Sequence, residues 1–493
     1  MLSNPIIASL MALPRRFQCF FQRHRRRQRP DLHTAWQHQA TLPDFVKASP
    51  VAQRYLALLG PLAWTQLPER NLQRNWGQTT IPYAAFIAAC LVKLNEGQKS
   101  MGALRDFILD HPELIWLFGF PLVLSKAGPL GFDPQASLPT TRHLTRMLRS
   151  LPNHVLQCLL ADTVRLIRTE LASQGVESGL CISLDTKHII GWVKENNPKA
   201  YVTARYDKSH QPAGDPDCKL GCKRRHNRRA ASQELPPTPT QNPVPAKFVS
   251  VGEFYWGYGS GVVATKVPGW GEFVLAELTQ PFDRADVTYF YPLMADTEAR
   301  LGFKPLFGAF DAGLDAFYVY DYFHSDTHHG FAAVPFSEKG GYKAHQRQFD
   351  EYGLPLCQAG FSMPLKFTFT DRTRAIIEHQ RGKYACPLLF PEPTGQACPI
   401  NHDRWKKGGC TADMPTSPGA RLRYQLDRHS PAYKAVYKQR TATERINSQA
   451  VALGIERPHL RNGAAIANQN TLIYLLINLR LLQRIYRRLA DTD

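Results

Sequence analysis

A chain of 493 residues and 55.7 kDa, 43% hydrophobic and 11% aromatic, carries enough apolar material for a sizeable core and two or three domains, which excludes an intrinsically disordered protein. Sixty Lys and Arg against 41 Asp and Glu give a formal charge of +19 and a pI near 9.5, so the composition favours a polyanionic partner, either nucleic acid or an anionic membrane surface. No uninterrupted apolar run approaches the roughly 20 residues of a spanning helix, the best being 81–92 and 471–482, so nucleic acid is the stronger reading and no membrane is expected.

Ten cysteines lie scattered through the chain, without the density of a secreted disulfide scaffold. The apolar stretch Pro5 to Leu13 precedes its arginines, the reverse of a signal peptide, although the lack of an acidic residue before Asp31 resembles a transit peptide. A cytosolic chain with reduced thiols is the simplest expectation.

Residues 15–29, R-R-F-Q-C-F-F-Q-R-H-R-R-R-Q-R, read either as an arm gripping phosphates or as a soluble tail, and 1–45 is taken as a basic N-terminal arm. Apolar residues recur with helical period in 51–59, 83–94 and 101–118, which predicts an all-α domain over 46–165. Its last helix opens on S-L-P-T-T, with Pro and Thr suited to a helix start. Arg142, Arg146 and Arg149 then share one face, while Leu144, Met147, Leu148 and Leu151 share another. That helix packs on one side and presents guanidinium groups on the other, to DNA or to solvent.

At 179–190, G-L-C-I-S-L-D-T-K-H-I-I, the texture changes to a short, buried-looking strand whose apolar part ends in Asp185. A carboxylate there either meets a cation or faces solvent at a strand end. Residues 205–247, rich in Pro, Asp, Lys and Arg, read as a loop. Cys218, Cys222 and His226 inside it have a zinc-like spacing, but a non-metal reading is favoured. Strands are expected at 248–258 and 271–278 with glycine turns between them, then a helix around 287–300. The strand L-F-G-A-F-D-A-G (306–313) ends in Asp311, with a helix over 314–324 and another strand at 330–336. An aspartate at the carboxyl end of a strand that turns into a helix is where open α/β sheets build sites.

Residues 346–430 form an aromatic, proline-rich segment. Cys386, Cys398 and Cys410 each have eleven residues between them, with Cys357 upstream and His402 in the last interval. Three or four of these groups would close a tetrahedral zinc site; as ordinary half-buried thiols they would not. Beyond it, Y-K-Q-R-T-A-T-E-R-I-N-S-Q-A-V (437–451) reads as a helix on which Tyr437, Arg440 and Glu444 fall in one quadrant. Such a trio suits a divalent metal beside a phosphodiester: Glu ligates, Arg holds a phosphate oxygen, Tyr packs and donates. It is equally the pattern of a solvated helix face with an i, i+4 ion pair. A long amphipathic helix over 464–489 ends the chain in arginines.

Tyr437-x2-Arg440-x3-Glu444, taken with L-D-T at Asp185 and D-A-G at Asp311, resembles the signature of bacterial insertion-sequence transposases of the DDE class. The family pattern has a lysine seven residues past the glutamate, where this chain has Val451. The resemblance implies a ribonuclease H-like α/β fold: a mixed sheet flanked by helices, occupying 177–345 and 431–493, with 346–430 as a mostly β insertion. It implies that Asp185, Asp311 and Glu444 hold two magnesium (or manganese) ions about 3.5–4 Å apart for in-line phosphoryl transfer. It also implies double-stranded DNA partners, both terminal inverted repeats and target, bound by a homodimer on paired ends in a bacterial, nucleoid-associated setting. Tyr437, Arg440 and Arg445, with Arg142, Arg146 and Arg149, are the expected DNA contacts, and Lys187 and Lys339 possible additions. The rivals are a catalytically inactive DNA-binding derivative and a nuclease without a joining step.

Overall fold

The computed structural model describes residues 29–72, 80–125, 130–229, 248–324, 327, 329–336, 348–371, 377–400 and 402–491, with side chains for all except 224–229 and 248–252. The arginine-rich run up to 28 and Lys339 lie outside the described residues.

Short capped helices begin the structure. The Asp31 carboxylate accepts the His33 and Thr34 N–H groups to start α1 (Leu32–Gln37), and α2 (Asp44–Lys47) follows. Ser49, with Pro50 in the first turn, starts α3 (Pro50–Leu59). Leu32, Ala35, Leu42 and Val46 are buried, so the part of the expected arm of 1–45 that is described packs on the core. Next come α4 (Tyr83–Asn95), α5 (Met101–Asp110) and α6 (Glu113–Leu117). The helix expected over 101–118 is thus two, divided at His111-Pro112, because proline disfavours helical backbone in the residue before it. A two-residue antiparallel pair, β1 (Val123–Leu124) with β2 (Phe132–Asp133), interrupts the helices. Then follow α7 (Pro134–Ser137), α8 (Thr141–Ser150) and α9 (Asn153–Ser173). The N-terminal helices do not form a core of their own. Their cluster, from Leu32 through Leu160, continues directly into Ala442, Ile446 and Ile466–Leu479.

A six-stranded mixed sheet occupies the centre. Its strands are β3 (Cys181–Ile190), β4 (Lys219–Arg229), β5 (Phe248–Val267), β6 (Gly271–Pro281), β7 (Phe307–Ala309) and β8 (Phe331–Ala333). β5 is antiparallel to β4, β3 and β6, whereas β3, β7 and β8 run parallel. Two expectations are corrected here. K-R-R-H-N-R-R, read as loop, is the end of β4, paired to the first half of β5 from Lys219↔Gly257 to Arg229↔Phe248. Of the glycines read as turns, Gly259 and Gly261 lie inside β5, which continues unbroken to Val267, while Gly269 sits in the turn to β6. Helix α10 (Val287–Leu301) explains two of them: a Cβ on Gly259 or Gly261 would come within 2.6 or 2.5 Å of the Tyr289 side chain. Glycine at alternate positions lets the helix lie close against the sheet. Helix α11 (Phe317–Phe323) joins β7 to β8.

The 346–430 segment carries a separate three-stranded antiparallel sheet, β9 (Leu365–Asp371), β10 (His379–Ala385) and β11 (Thr411–Pro415), in the order β11-β10-β9, followed by α12 (Pro418–Gln425). The chain then runs through α13 (Pro431–Tyr437), a 3-10 turn at Lys438–Arg440 and α14 (Thr441–Ala452) to α15 (Gly463–Ala490). Helix α15 is not amphipathic over its length: from Ala465 to Leu482 nearly every residue is buried, Asn468, Asn470, Thr471 and Asn478 included. It belongs to both large clusters, with Leu472–Leu479 in one and Leu481, Leu482 and Ile485 in the other. Among the described residues no helix is long and apolar enough to cross a membrane.

Candidate functional site

Strand register brings the two aspartates together. β3 and β7 pair in parallel at Cys181↔Phe307, Ile182↔Gly308 and Ser183↔Ala309. Asp185 and Asp311 each lie two residues beyond the last of these pairs, at the same level of neighbouring strands. Asp311 leaves its strand with extended backbone and caps the turn Ala312–Leu314, its carboxylate accepting the Gly313 N–H at 2.8 Å. A third carboxylate, absent from the sequence reading, belongs to Asp286 at the start of α10. A Cβ built on Gly313 would stand 2.9 Å from Asp311 Oδ1 and 3.1 Å from Asp286 Oδ2.

Asp185 accepts the Thr186 N–H on Oδ1 and the Asn447 side-chain amide on Oδ2, each at 2.9 Å. Burial pushes its carboxyl up to about 6, and the negative charges of Asp311 and Asp286 push the same way. The Thr186 N–H and the Arg440 guanidinium oppose the rise. This is the chemistry of a site that gains from a cation, because a positive charge relieves both the desolvation and the repulsion.

Glu444 sits in the first turn of α14, half-exposed, and Arg440 Nη2 donates to its Oε1 at 2.6 Å. The guanidinium of Arg440 also lies over the Tyr437 ring, 5.8 Å from its centroid. The three side chains therefore meet, but on a corrected backbone. The 437–451 stretch is not one helix, since the 3-10 turn at Lys438–Arg440 separates α13 from α14. One hollow is lined by Asp185, Glu444, Asn447 and Val451, with Lys187, His188 and Lys223 along another side. Burial, then the charges of Lys223 and Lys187, pushes the His188 imidazole down to about 4, so it is neutral at physiological pH. Asn447 escaped the sequence reading although its offset of three from Glu444 puts it on the same helical face.

Hard oxygen donors thus stand on the β3–β7 pair and across the hollow on α14. Among the described residues, however, no group of three or more His, Cys, Asp or Glu is arranged to hold a metal ion. Glu444 spends its charge on Arg440 in this arrangement, so a shared cation would require that exposed side chain to rotate.

The remaining candidates are distributed as follows. Arg142, Arg146 and Arg149 lie along the outer face of α8, lining a surface hollow with Thr140, His143 and Thr145, while Leu144, Met147 and Leu148 are buried. Thr140 caps that helix through its side chain. Arg445 is engaged elsewhere, donating to Glu272 at 2.6 Å, and Lys187 donates to Glu456 at 2.5 Å. In the insertion, Cys410 Sγ lies 3.4 Å from His402 Nε2, Cys386 is buried, and Cys398 is half-buried. Cys218 is buried, bonding its thiol to the Asp215 carbonyl, whereas Cys222 is exposed.

No family model matches the chain, and a search of curated proteins returns no match.

Proposed function

We propose that this chain is a DNA transposase of the DDE class, cutting transposon ends and joining them to target DNA with divalent metal ions. One observation carries the reading: Asp185 on β3 and Asp311 just past the end of β7 each follow the last parallel pair by two residues, and Asp185 shares a hollow with Glu444, which Arg440 holds. The mixed sheet, with its parallel and antiparallel strands and helices packed on it, is the kind of α/β frame that a ribonuclease H-like domain requires.

Asp185, Asp311 and Glu444 would hold magnesium or manganese. Bound there, the ions would activate water or a DNA 3′-hydroxyl and neutralise charge on the leaving oxygen. The chain's own groups do the rest. Asn447 and the Thr186 N–H keep the Asp185 carboxylate from rotating, as outer hydrogen bonds do for metal-ligating oxygens. Arg440 would leave Glu444 for a phosphate oxygen near the scissile bond, steadied by the Tyr437 ring beneath it. Arg142, Arg146 and Arg149 provide an exposed cationic row for the backbone of double-stranded DNA. Two ends held by two copies of the chain would place both cuts in one complex.

The Arg440–Glu444 ion pair is the observation that favours an inactive DNA-binding derivative instead, since it satisfies the glutamate without metal. Incubating the full chain with duplexes that carry the DNA flanking its gene, in magnesium, separates the readings. Nicks at the element boundary followed by joined products support transposition, and nicks without joined products indicate a nuclease. Binding with no magnesium-dependent cleavage would overturn the enzymatic reading.

A further inference from the structure

The three-stranded sheet of the insertion has little of its own to hold it. Its hydrophobic cluster is Met363, Tyr384, Ala412 and Met414, and Leu365 and Phe367 on β9 are 44% and 48% exposed. A core that small rarely stabilises a segment without a staple, which is commonly a disulfide or a structural metal.

Two cysteines, Cys357 and Cys410, pack against this cluster, and Cys386 and Cys398 lie in the same segment. Cys357 begins a tight turn, its carbonyl accepting the Gly360 N–H at 3.0 Å, and its side chain packs against the cluster with that of Cys410. Cys386 directly follows β10, its carbonyl accepting the Leu389 and Phe390 N–H groups. Gly409, with φ +85°, brings the Cys410 segment against it: a Cβ there would lie 2.7 Å from Cys386 Cβ and 3.4 Å from its sulfur. Glycine is required by both the backbone angle and the close approach. The Cys410 sulfur accepts the Gln358 N–H and stands 3.4 Å from His402 Nε2. Cys357, Cys386 and Cys398 all lie within electrostatic reach of Cys410.

We propose that Cys357, Cys386, Cys398 and Cys410 close into a structural zinc site, with His402 and the Gln358 N–H as hydrogen-bond donors to its thiolates, although the four sulfurs do not stand in a metal-holding arrangement in this structure. Zinc takes four thiolates at about 2.3 Å in tetrahedral order, so the side chains must close by rotation from their present positions. On binding, each thiol gives its proton to solvent and its sulfur lone pair to the ion. Four thiolates and one zinc carry a net double negative charge. N–H donors to sulfur offset it. Zinc would thereby fix β10 and β11 to the turn at Cys357 and supply the stability that the four-residue core does not. This site stands apart from the carboxylates and does not depend on the transposase reading.

The test uses the full chain, purified without chelator from zinc-replete cells and assayed by elemental analysis. About one zinc per chain is expected. A thiol-directed mercurial added to the wild-type protein should release that zinc in step with the thiols it modifies. Cys386→Ser and Cys398→Ser should each lower zinc to below about a tenth per chain, while Cys158→Ser and Cys222→Ser, exposed and outside the cluster, leave it in place. His402→Gln should keep the ion but surrender it to a chelator roughly 10–100-fold more readily. Wild-type protein with less than about a tenth of a zinc per chain, or with these four sulfurs recovered as disulfides, overturns the proposal, as does zinc retained in the Cys386→Ser, Cys410→Ser double variant.

Discussion

Asp185 carries the strongest electrostatic signature of the proposed site, and its sign can be tested. Its folded value of about 6 lies above the ordinary 3.8, so the folded chain holds a proton that the unfolded chain has already lost. Stability from this group is therefore greatest at low pH and falls as pH rises from about 4 through 6, by at most ~3 kcal/mol. Asp185→Asn removes that charge and should stabilise the metal-free protein at pH 8 by roughly 1–3 kcal/mol, seen as a higher melting temperature in EDTA. Magnesium should then raise the melting temperature of the wild type and not of the variant, because only a folded site binds the ion. An Asp185→Asn protein that melts at or below the wild type at pH 8 would show that the carboxylate is not under electrostatic stress. Asn447→Ala should retain the fold and DNA binding yet lose roughly 10–100-fold in cleavage, through a less well-held Asp185.

At the scale of single elements, much could be read from the letters. The apolar run before Asp185 located β3, and the Pro and Thr residues before Arg142 announced the start of α8. Other elements were hidden for physical reasons. β4 looks like a loop because its charged letters carry no alternation; only pairing to the long strand β5 that follows it makes it a strand. The 3-10 turn at 438–440 is equally silent, since no glycine or proline marks it. Val451 illustrates what spacing can and cannot decide. It is 39% exposed and lines the hollow with Glu444, so it is not a core residue. Val451→Lys should accordingly leave the melting temperature nearly unchanged and steepen the log–log salt dependence of DNA binding by about 0.9. Removing Arg142, Arg146 and Arg149 together should flatten that slope by up to about 2.7 if all three contact phosphates. An unchanged slope in the triple variant would mean that α8 faces solvent only.

The whole molecule is tied together by α15. Its letters read as amphipathic because Asn and Thr recur among its leucines, yet those polar groups are buried and matched across elements. Asn478 bonds the Val274 N–H and carbonyl and the Thr163 hydroxyl, while Asn468 bonds the Leu148 and Leu151 carbonyls. Sequence periodicity cannot distinguish a polar residue facing water from one satisfied inside a fold. Thr471, Gln157, Thr279 and Ser260 likewise donate to the buried Glu277, whose carboxyl burial pushes upward. Asn478→Leu should cost about 2–4 kcal/mol by orphaning the backbone of β6, measured by denaturant unfolding. Because α15 packs into both large clusters, the N-terminal helices and the central sheet should lose structure together in that variant.

If the three carboxylates from distant positions act as one metal-dependent site, single-turnover cleavage of the element's own ends reads that most directly. Asp185→Ala, Asp311→Ala and Glu444→Ala should each abolish magnesium-dependent cleavage to a similar degree, leave DNA binding nearly intact, and combine non-additively. A single variant that keeps more than about a tenth of wild-type cleavage, or wild-type cleavage that persists in EDTA, would contradict it.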